Sequence, residues 1–311
     1  MDIEISQLLE RVKQGARKPF WQCTPPEARG FPTLMKLLFG EPSAHVSSRD
    51  LSFASADGYQ VPARLYTPAH APQGLIVFFH GGGWVLGSVE DYHPFTSTLA
   101  HRTGCAVLSV DYRLSPEHPY PAPLEDAVAA LAFAASELTR GALGTTRTLV
   151  AMGDSAGANL ATVAAGLHNQ RLAQPPVSLQ VLAYPVVSAE FDTPSYSQFA
   201  QGHLLTAQDM RWFWDQYCPD ATLRKQPDIC PLHADLKFMP DTLLLTAECD
   251  PLRDEGEQYA RLLQSAGNHC ELIRCQGLVH AFLAMINFAP SAGTAFATIV
   301  ARIQAFTGRP H

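Results

Sequence analysis

Residues 148–157 read Thr-Leu-Val-Ala-Met-Gly-Asp-Ser-Ala-Gly, and this stretch decides the fold. The apolar run at 148–152 is typical of a strand buried on both faces, and residues 156–172 carry helical periodicity. Ser155, in Gly153-Asp154-Ser155-Ala156-Gly157, therefore falls at a strand-to-helix turn. The glycines permit a strained backbone and a close approach of neighbouring elements. A bare G-x-S-x-G pattern is weak, but in this context it predicts an exposed nucleophilic serine.

Similar apolar runs separated by helical segments follow the same rhythm along the chain. Strands buried on both faces that alternate with helices predict repeated β-α-β units, and hence a mostly parallel central sheet with helices on both faces. An Asp57-Gly58 turn predicts an antiparallel hairpin that opens the sheet. The predicted strands are 47–56, 59–66, 75–79, 106–110, 148–152, 179–184, 242–247 and 271–275, and the later helices are 123–138, 156–172, 257–266 and 291–306.

The domain organisation is predicted from where this rhythm is interrupted. Residues 1–45 contain two short amphipathic helices, at 3–12 and 31–39, and are predicted to form an N-terminal cap. About fifty residues separate two later strands, so we interpret 187–237 as a cap insertion between core segments 46–186 and 238–311. The insertion carries an aromatic stripe at 210–217, which either covers an apolar pocket or simply packs on the body.

The second chemical signal is the glycine loop His80-Gly81-Gly82-Gly83-Trp84, directly after the strand at 75–79. Three consecutive glycines bring backbone N–H groups close to a developing alkoxide, because no side chain intervenes. The N–H of Ala156, at a helix N-terminus, is a further donor. The loop and Ala156 together predict an oxyanion hole formed from Gly81, Gly82, Gly83 and Ala156, and which of the glycines donate stays open.

With both motifs on one chain, the sequence resembles the bacterial hormone-sensitive-lipase-like esterases, whose marks are the HGGG loop and the GDSAG elbow. The likeness runs from about residue 50 to the C-terminus. It includes the segments 111–117, 121–126, 184–185, 202–206, 212–214 and 250–255. The resemblance implies the α/β-hydrolase fold with a small helical cap, and ester hydrolysis that requires neither a metal nor an organic cofactor.

The same resemblance implies Ser155 as nucleophile, Asp250 as the acid of the triad and His280 as its base. Their positions agree, since Asp250 follows the strand at 242–247 and His280 follows the strand at 271–275. The carboxyl ends of parallel strands share one edge of a sheet, so the three side chains should meet there. Asp254 and Glu255 are rival acids, although acids at the start of a helix commonly complement the helix dipole.

The substrate pocket is expected at the same edge of the sheet. His203 stands where the family more often has an aromatic residue, while Asp154 and Glu117 are expected to brace loops rather than to react. The residues that we predict to line the pocket are Trp84, Tyr184, His203, Leu204, Leu205, Trp212 and Trp214.

Charge, cysteine spacing and the lengths of apolar runs limit the possible binding partners and the location of the protein. The net charge is −7 at pH 7, and there is no cluster of Lys and Arg, which argues against nucleic acid. The seven cysteines are scattered without a C-x-x-C pair, so neither a disulfide framework nor a zinc site is indicated. Acidic and basic residues interrupt residues 1–20, and no run reaches the ~18 apolar residues that span a bilayer. We expect a cytoplasmic protein without integral membrane association.

The sequence therefore predicts a serine carboxylesterase that hydrolyses short- to medium-chain acyl esters. Its partners are a small ester and water, with no metal and no cofactor. An amidase, lactonase or peptidase on the same triad is the nearest alternative, since a fold does not fix a function. A non-catalytic protein that holds a small ligand is a more distant one. The natural ester and the oligomeric state, including a homodimer, stay open.

Overall fold

The computed structural model describes residues 1–15, 18–30, 38–143 and 146–308. Within these ranges eight strands form a single sheet. They are β1 (Val46–Ala54), β2 (Gln60–Pro68), β3 (Leu75–Phe79), β4 (Ala106–Val110), β5 (Leu149–Asp154), β6 (Val177–Ala183), β7 (Asp241–Cys249) and β8 (Cys270–Val279).

Helices pack on both faces of this sheet, and others lie in the segments above its carboxyl edge. They are α1 (Ile3–Gln14), α2 (Pro25–Ala28), α3 (His93–Thr103), α4 (Ala122–Thr139), α5 (Ala156–Gln170), α6 (Pro194–Gln198), α7 (Ala207–Tyr217), α8 (Arg253–Ser265) and α9 (Pro290–Thr307). In the part of the chain that the structure describes, no helix is both long and apolar enough to cross a bilayer.

The strand order is β1-β2-β4-β3-β5-β6-β7-β8, and the sheet is mostly parallel as predicted. Strands β1 and β2 pair antiparallel from Val46↔Pro68 to Ala54↔Gln60, which is the predicted hairpin, and β2 pairs antiparallel with β4. Every other pairing, from β4–β3 to β7–β8, is parallel. The carboxyl ends of these parallel strands consequently lie along one edge.

Strand β3 illustrates why the central strands are apolar throughout. Its side chains alternate between two faces, because successive residues of a strand point in opposite directions. Val77 and Phe79 pack in the cluster that contains Leu160 of α5, whereas Phe78 packs in the cluster that contains Ile299 of α9. Both faces are therefore core, so a polar residue in β3 would be buried whichever way it pointed.

Two strands that carry site residues run further than their apolar runs predict. Strand β5 ends at Asp154 rather than at 152, and β8 ends at Val279 rather than at 275. Polar residues near a strand end pair like any others, since the sheet hydrogen bonds are made by the backbone. Ser155 and His280 therefore follow their strands directly, as Asp250 follows β7.

Helix α3 was not predicted. Its sequence, His-Pro-Phe-Thr-Ser-Thr-Leu-Ala-His-Arg-Thr, mixes small polar residues with apolar ones, and Thr96, Ser97 and Thr103 are buried with Phe95 and Leu99. A helix buried around most of its circumference has no single apolar stripe, and the 3.6-residue period that reveals amphipathic helices is then weak. Most of the helix predicted at 31–39 lies outside the described residues.

Candidate active site

Ser155 occupies a sharp turn between β5 and α5. Its backbone has φ 54° and ψ −120°, a positive-φ conformation that costs a non-glycine residue about 1–3 kcal/mol. The N–H of Ser155 donates to the carbonyl oxygen of Ala183 at 2.9 Å. Gly157 permits the packing, because a Cβ there would lie 2.0 Å from the carbonyl oxygen of Phe79. The surrounding strands therefore hold the serine in a conformation that it would not adopt alone.

The side chains of Ser155, His280 and Asp250 form one hydrogen-bonded chain. Nε2 of His280 lies 3.0 Å from Oγ of Ser155, and Nδ1 of His280 lies 2.8 Å from Oδ2 of Asp250. A carboxylate can only accept, so the imidazole proton resides on Nδ1 and leaves Nε2 to accept from the serine hydroxyl. Asp250 is fully buried, and its Oδ1 also accepts the N–H of Leu252 at 2.9 Å.

The two rival acids bind elsewhere. Oδ2 of Asp254 accepts the N–H of Ser195 at 2.8 Å, and Oε1 of Glu255 accepts the N–H of Val187 at 2.8 Å. Burial raises the pKa of Glu255 well above its ordinary value. Both carboxyl groups thus fasten the segment after β6 to helix α8, and neither is the hydrogen-bond partner of His280.

The glycine loop presents its amide groups beside the serine. The N–H groups of Gly82, Gly83 and Ala156 have no acceptor among the described residues. The N–H of Gly81 is different, because it donates to Oδ1 of Asp154 at 2.7 Å. Including Gly81 among the predicted oxyanion donors was therefore wrong, since its one amide proton is already engaged.

Neighbouring side chains fix the shape of this loop. The imidazole of His80 is fully buried and its Nδ1 lies 2.8 Å from the carbonyl oxygen of Gly81. The hydroxyl of Tyr112 donates to the carbonyl oxygen of His80 at 2.7 Å. Glu117 accepts two hydrogen bonds from Arg29, at 2.8 and 2.5 Å. His80 and Glu117 thus brace loops and do not contact the serine.

Comparison with known proteins assigns the chain to a family. Residues 76–284 match the family with an alpha/beta hydrolase fold. The ethyl acetate hydrolase of Pseudomonas putida is 34% identical over 284 residues, which cover 89% of this chain and 88% of that protein. The chain belongs to the hormone-sensitive-lipase-like carboxylesterases. The carboxylesterase NlhH of Mycobacterium tuberculosis is 34% identical over 261 residues, covering 82% of this carboxylesterase and 80% of NlhH.

Solved structures agree with that assignment. A thermostable esterase from Pseudomonas putida superposes on this carboxylesterase with a TM-score of 0.92 and 32% identity, covering 99% of this chain and 98% of that one. A hyperthermophilic esterase from Pyrobaculum calidifontis superposes with a TM-score of 0.91 and 32% identity, covering 98% of each chain. The predicted fold class and the predicted enzyme class, a carboxylic ester hydrolase, are confirmed.

A mostly apolar pocket of about 110 Å³ lies over Ser155 and His280. Of the residues predicted to line it, Tyr184, Leu204 and Leu205 do so. Trp84, His203, Trp212 and Trp214 do not. The residues along its wall are Phe20, Phe39, Gly81, Gly82, Gly83, Leu86, Gly87, Asp91, Tyr92, Asp154, Ser155, Tyr184, Leu204, Leu205, Met210, Phe213, His280, Ala281 and Ala284.

The aromatic residues that miss the pocket are occupied by packing. Trp84 is fully buried and stacks on Tyr217 with ring centroids 4.1 Å apart, while Trp214 lies 4.9 Å from Trp84. His203 bonds through Nδ1 to the carbonyl oxygen of Gln201 at 2.8 Å. Trp212 is partly exposed and packs beside Phe213. Only one residue in three or four of helix α7 can face the pocket, because its period is 3.6 residues.

Several wall residues were missed from the sequence. Phe20 and Phe39 come from the N-terminal segment, and Phe213 and Met210 come from α7. The rings of Phe20 and Phe213 lie 5.3 Å apart, so residues almost two hundred positions apart close the same wall. The aromatic stripe at 210–217 indicated that α7 could line a pocket. Which of its side chains do so depends on the surface against which α7 packs, and the sequence does not show that surface.

Asp154 is the most heavily bonded carboxylate in the pocket wall. Besides the N–H of Gly81, it accepts the hydroxyls of Tyr92 at 3.2 Å and Tyr184 at 3.3 Å. Burial raises the pKa of Asp154 from 3.8 to about 6, while the Gly81 hydrogen bond and the neighbouring His280 oppose that rise. The carboxyl group therefore joins the glycine loop to the elbow, and its pKa is about 6.

This pKa predicts a pH dependence of stability. Between about pH 4 and pH 6, native Asp154 keeps a proton that the unfolded chain has lost, so its stabilising contribution is lost as the pH rises. The free energy of unfolding of the wild type should therefore fall by about 2–3 kcal/mol over this pH range because of Asp154. Asp154→Asn cannot titrate, so this part of the fall should be absent. Urea unfolding of both proteins from pH 4 to pH 7 measures it. Parallel stability curves for wild type and variant would contradict the assignment.

Proposed function

We propose that this carboxylesterase works through a Ser155-His280-Asp250 triad. The observation that carries the proposal is the continuous chain of hydrogen bonds, 3.0 Å and 2.8 Å, at the floor of an apolar pocket. Oγ of Ser155 attacks the ester carbonyl while Nε2 of His280 takes its proton. Asp250 holds the Nδ1 tautomer and stabilises the imidazolium that forms.

The amide groups of Gly82, Gly83 and Ala156 receive the negative charge of the tetrahedral intermediate. Each such donor is worth about 3 kcal/mol when it is fixed before the reaction. His280 then protonates the departing alcohol, and the acyl group stays on Ser155. Water, deprotonated by the same imidazole, attacks this acyl-enzyme, and the carboxylic acid leaves as Ser155 recovers its proton.

The lid over this site consists of two segments of the chain, 1–45 and 187–237. The N–H of Trp21 donates to Oδ1 of Asp209 at 3.2 Å, and Phe20 packs on Phe213, so the described parts of the two segments are joined directly. The remaining segments, 46–186 and 238–311, carry the sheet and the triad. The seven cysteines, all free thiols, support a cytoplasmic location.

Substitution of the nucleophile tests the mechanism. Ser155→Ala should lower kcat for p-nitrophenyl acetate by about 10⁴–10⁶-fold, because no hydroxyl remains to form the acyl-enzyme. Ser109→Ala is the matched control, since Ser109 is fully buried on β4 and its Oγ has no partner among the described residues. The control should retain wild-type turnover within about twofold. Wild-type turnover by Ser155→Ala would end the proposal.

The choice among the acids can be tested separately. Asp250→Asn should lower kcat by about 10⁴-fold, because an amide at this position favours the wrong imidazole tautomer. Asp254→Asn should lower kcat by less than about tenfold, since this carboxylate bonds the N–H of Ser195 and Nε of Arg253 and not the imidazole. Steady-state kinetics on one ester compare the two variants. A larger loss in Asp254→Asn than in Asp250→Asn would assign the acid to position 254.

We expect esters of short to medium acyl chains to be the best substrates. The 110 Å³ pocket is smaller than the roughly 300–1,000 Å³ of pockets that enclose drug-sized ligands. The value of kcat/KM should therefore fall by about tenfold or more between p-nitrophenyl butyrate and laurate, because each surplus methylene must displace wall residues. A profile from acetate to laurate measures this, and a maximum at laurate would refute it.

A further inference from the structure

Asp91 is a charged residue of the pocket wall that the proposed mechanism does not use. Asp91 lies between β3 and α3, beside Tyr92, and it is partly exposed. Most of the wall is aliphatic or aromatic, and no lysine or arginine of the described residues belongs to it. A carboxylate among such residues is out of keeping with a pocket that binds only hydrocarbon groups.

The local turn accounts for one oxygen of Asp91. Oγ of Ser88 donates to Oδ2 of Asp91 at 2.7 Å, and the N–H of Asp91 donates back to Oγ of Ser88 at 3.1 Å. Oδ1 has no hydrogen-bond or ion-pair partner within residues 1–15, 18–30, 38–143 and 146–308. The turn thus orients the carboxylate and leaves one of its oxygens available to a ligand.

Among the residues that the structure describes, nearby groups do not neutralise this carboxylate. Arg64 is paired with Asp50 at 2.6 Å and with Glu90 at 3.0 Å. Burial lowers the pKa of His80, so its imidazole is neutral at pH 7. The other wall carboxyl, that of Asp154, accepts three hydrogen bonds from within the protein. The negative charge of Asp91 is therefore available to a substrate.

The wall around Asp91 is aromatic. The ring of Phe39 lies 5.1 Å from that of Tyr92, and Phe20 with Phe213 forms a second aromatic pair in the same wall. Aromatic faces attract cations through their quadrupole, and grouped aromatic residues are a common way to recognise quaternary ammonium ions. A carboxylate and several aromatic rings in one pocket share a single chemical preference, for an organic cation.

We propose that Asp91 is a specificity-determining residue that selects esters carrying an ammonium group. The inference rests on the proposed function, because it needs the ester to be held over Ser155. The carboxylate of Asp91 attracts the cation, and the rings of Phe39 and Tyr92 replace part of its hydration. Uncharged esters of the same shape gain only the apolar contacts.

Isosteric substrates test this proposal. Acetylcholine and its carbon isostere, the dimethylbutyl ester of acetic acid, differ only in the charge of the alcohol group. The ethyl ester of γ-trimethylammoniobutyrate and its carbon isostere place the same charge on the acyl side. The wild-type enzyme should prefer the cationic member of at least one pair by about tenfold in kcat/KM.

In Asp91→Asn the ratio of kcat/KM for the cationic ester to kcat/KM for its uncharged isostere should fall about tenfold. Asparagine keeps an oxygen for the Ser88 hydroxyl, so the turn is preserved. Glu90→Gln is the matched control, because it removes an adjacent negative charge that lies outside the pocket wall. Its preference should equal that of the wild type.

The outcomes separate the two proposals. If the wild-type enzyme hydrolyses the uncharged esters without favouring a cation in either pair, the role of Asp91 is refuted and the mechanism stands. A preference that Asp91→Asn and Glu90→Gln reduce equally also refutes it, since the effect would then come from net charge. If no ester of either kind is hydrolysed, the proposed function itself fails.

Discussion

The 3.0 Å contact between Oγ of Ser155 and Nε2 of His280 depends on the parallel arrangement of β5, β7 and β8. Each strand ends immediately before one member of the hydrogen-bonded chain, so the sheet brings together side chains that are far apart in sequence. The same arrangement holds Ser155 at positive φ, because its N–H is bonded to β6 and the adjacent helix packs against β3 through Gly157. A strained conformation persists only where the surroundings over-determine it.

Buried carboxyl groups join the segments above the carboxyl edge to the sheet and to one another. Asp154 bonds the glycine loop, Glu255 bonds the backbone at Val187, and Asp209 bonds the N-terminal segment. In each case the carboxylate accepts a backbone N–H from another segment; those of Gly81 and Val187 would otherwise be buried without a partner, which is costly. Burial raises the pKa of all three carboxyl groups. The acids near the site are thus divided by environment: Asp250 meets the imidazole, and the others hold segments in place.

Different parts of the chain form the floor and the wall of the pocket. The floor, with Ser155, His280 and the glycine loop, comes from the strand ends. The aromatic wall comes from the N-terminal segment and from α7, which meet at Phe20 and Phe213. Because these segments only need to pack on the frame and on each other, their side chains can change without disturbing the hydrogen-bonded chain below. The carboxylate of Asp91 comes instead from the connection between β3 and α3.

The sequence by itself determined the class of fold, the elbow serine and the glycine loop, because these depend on short-range patterns: apolar runs, helical periodicity and glycines at fixed offsets. The resemblance of its motifs to the esterase family implied His280 and Asp250, and the predicted strand ends agreed with those positions. Only the tertiary structure decided which glycine N–H groups are unpaired, because the acceptor for Gly81 is a side chain on another strand. It likewise decided that Trp84 and Trp214 pack internally while Phe20 and Phe213 line the pocket. A helix sequence shows its apolar side chains but not the surface on which they pack, and that surface is assembled from distant parts of the chain.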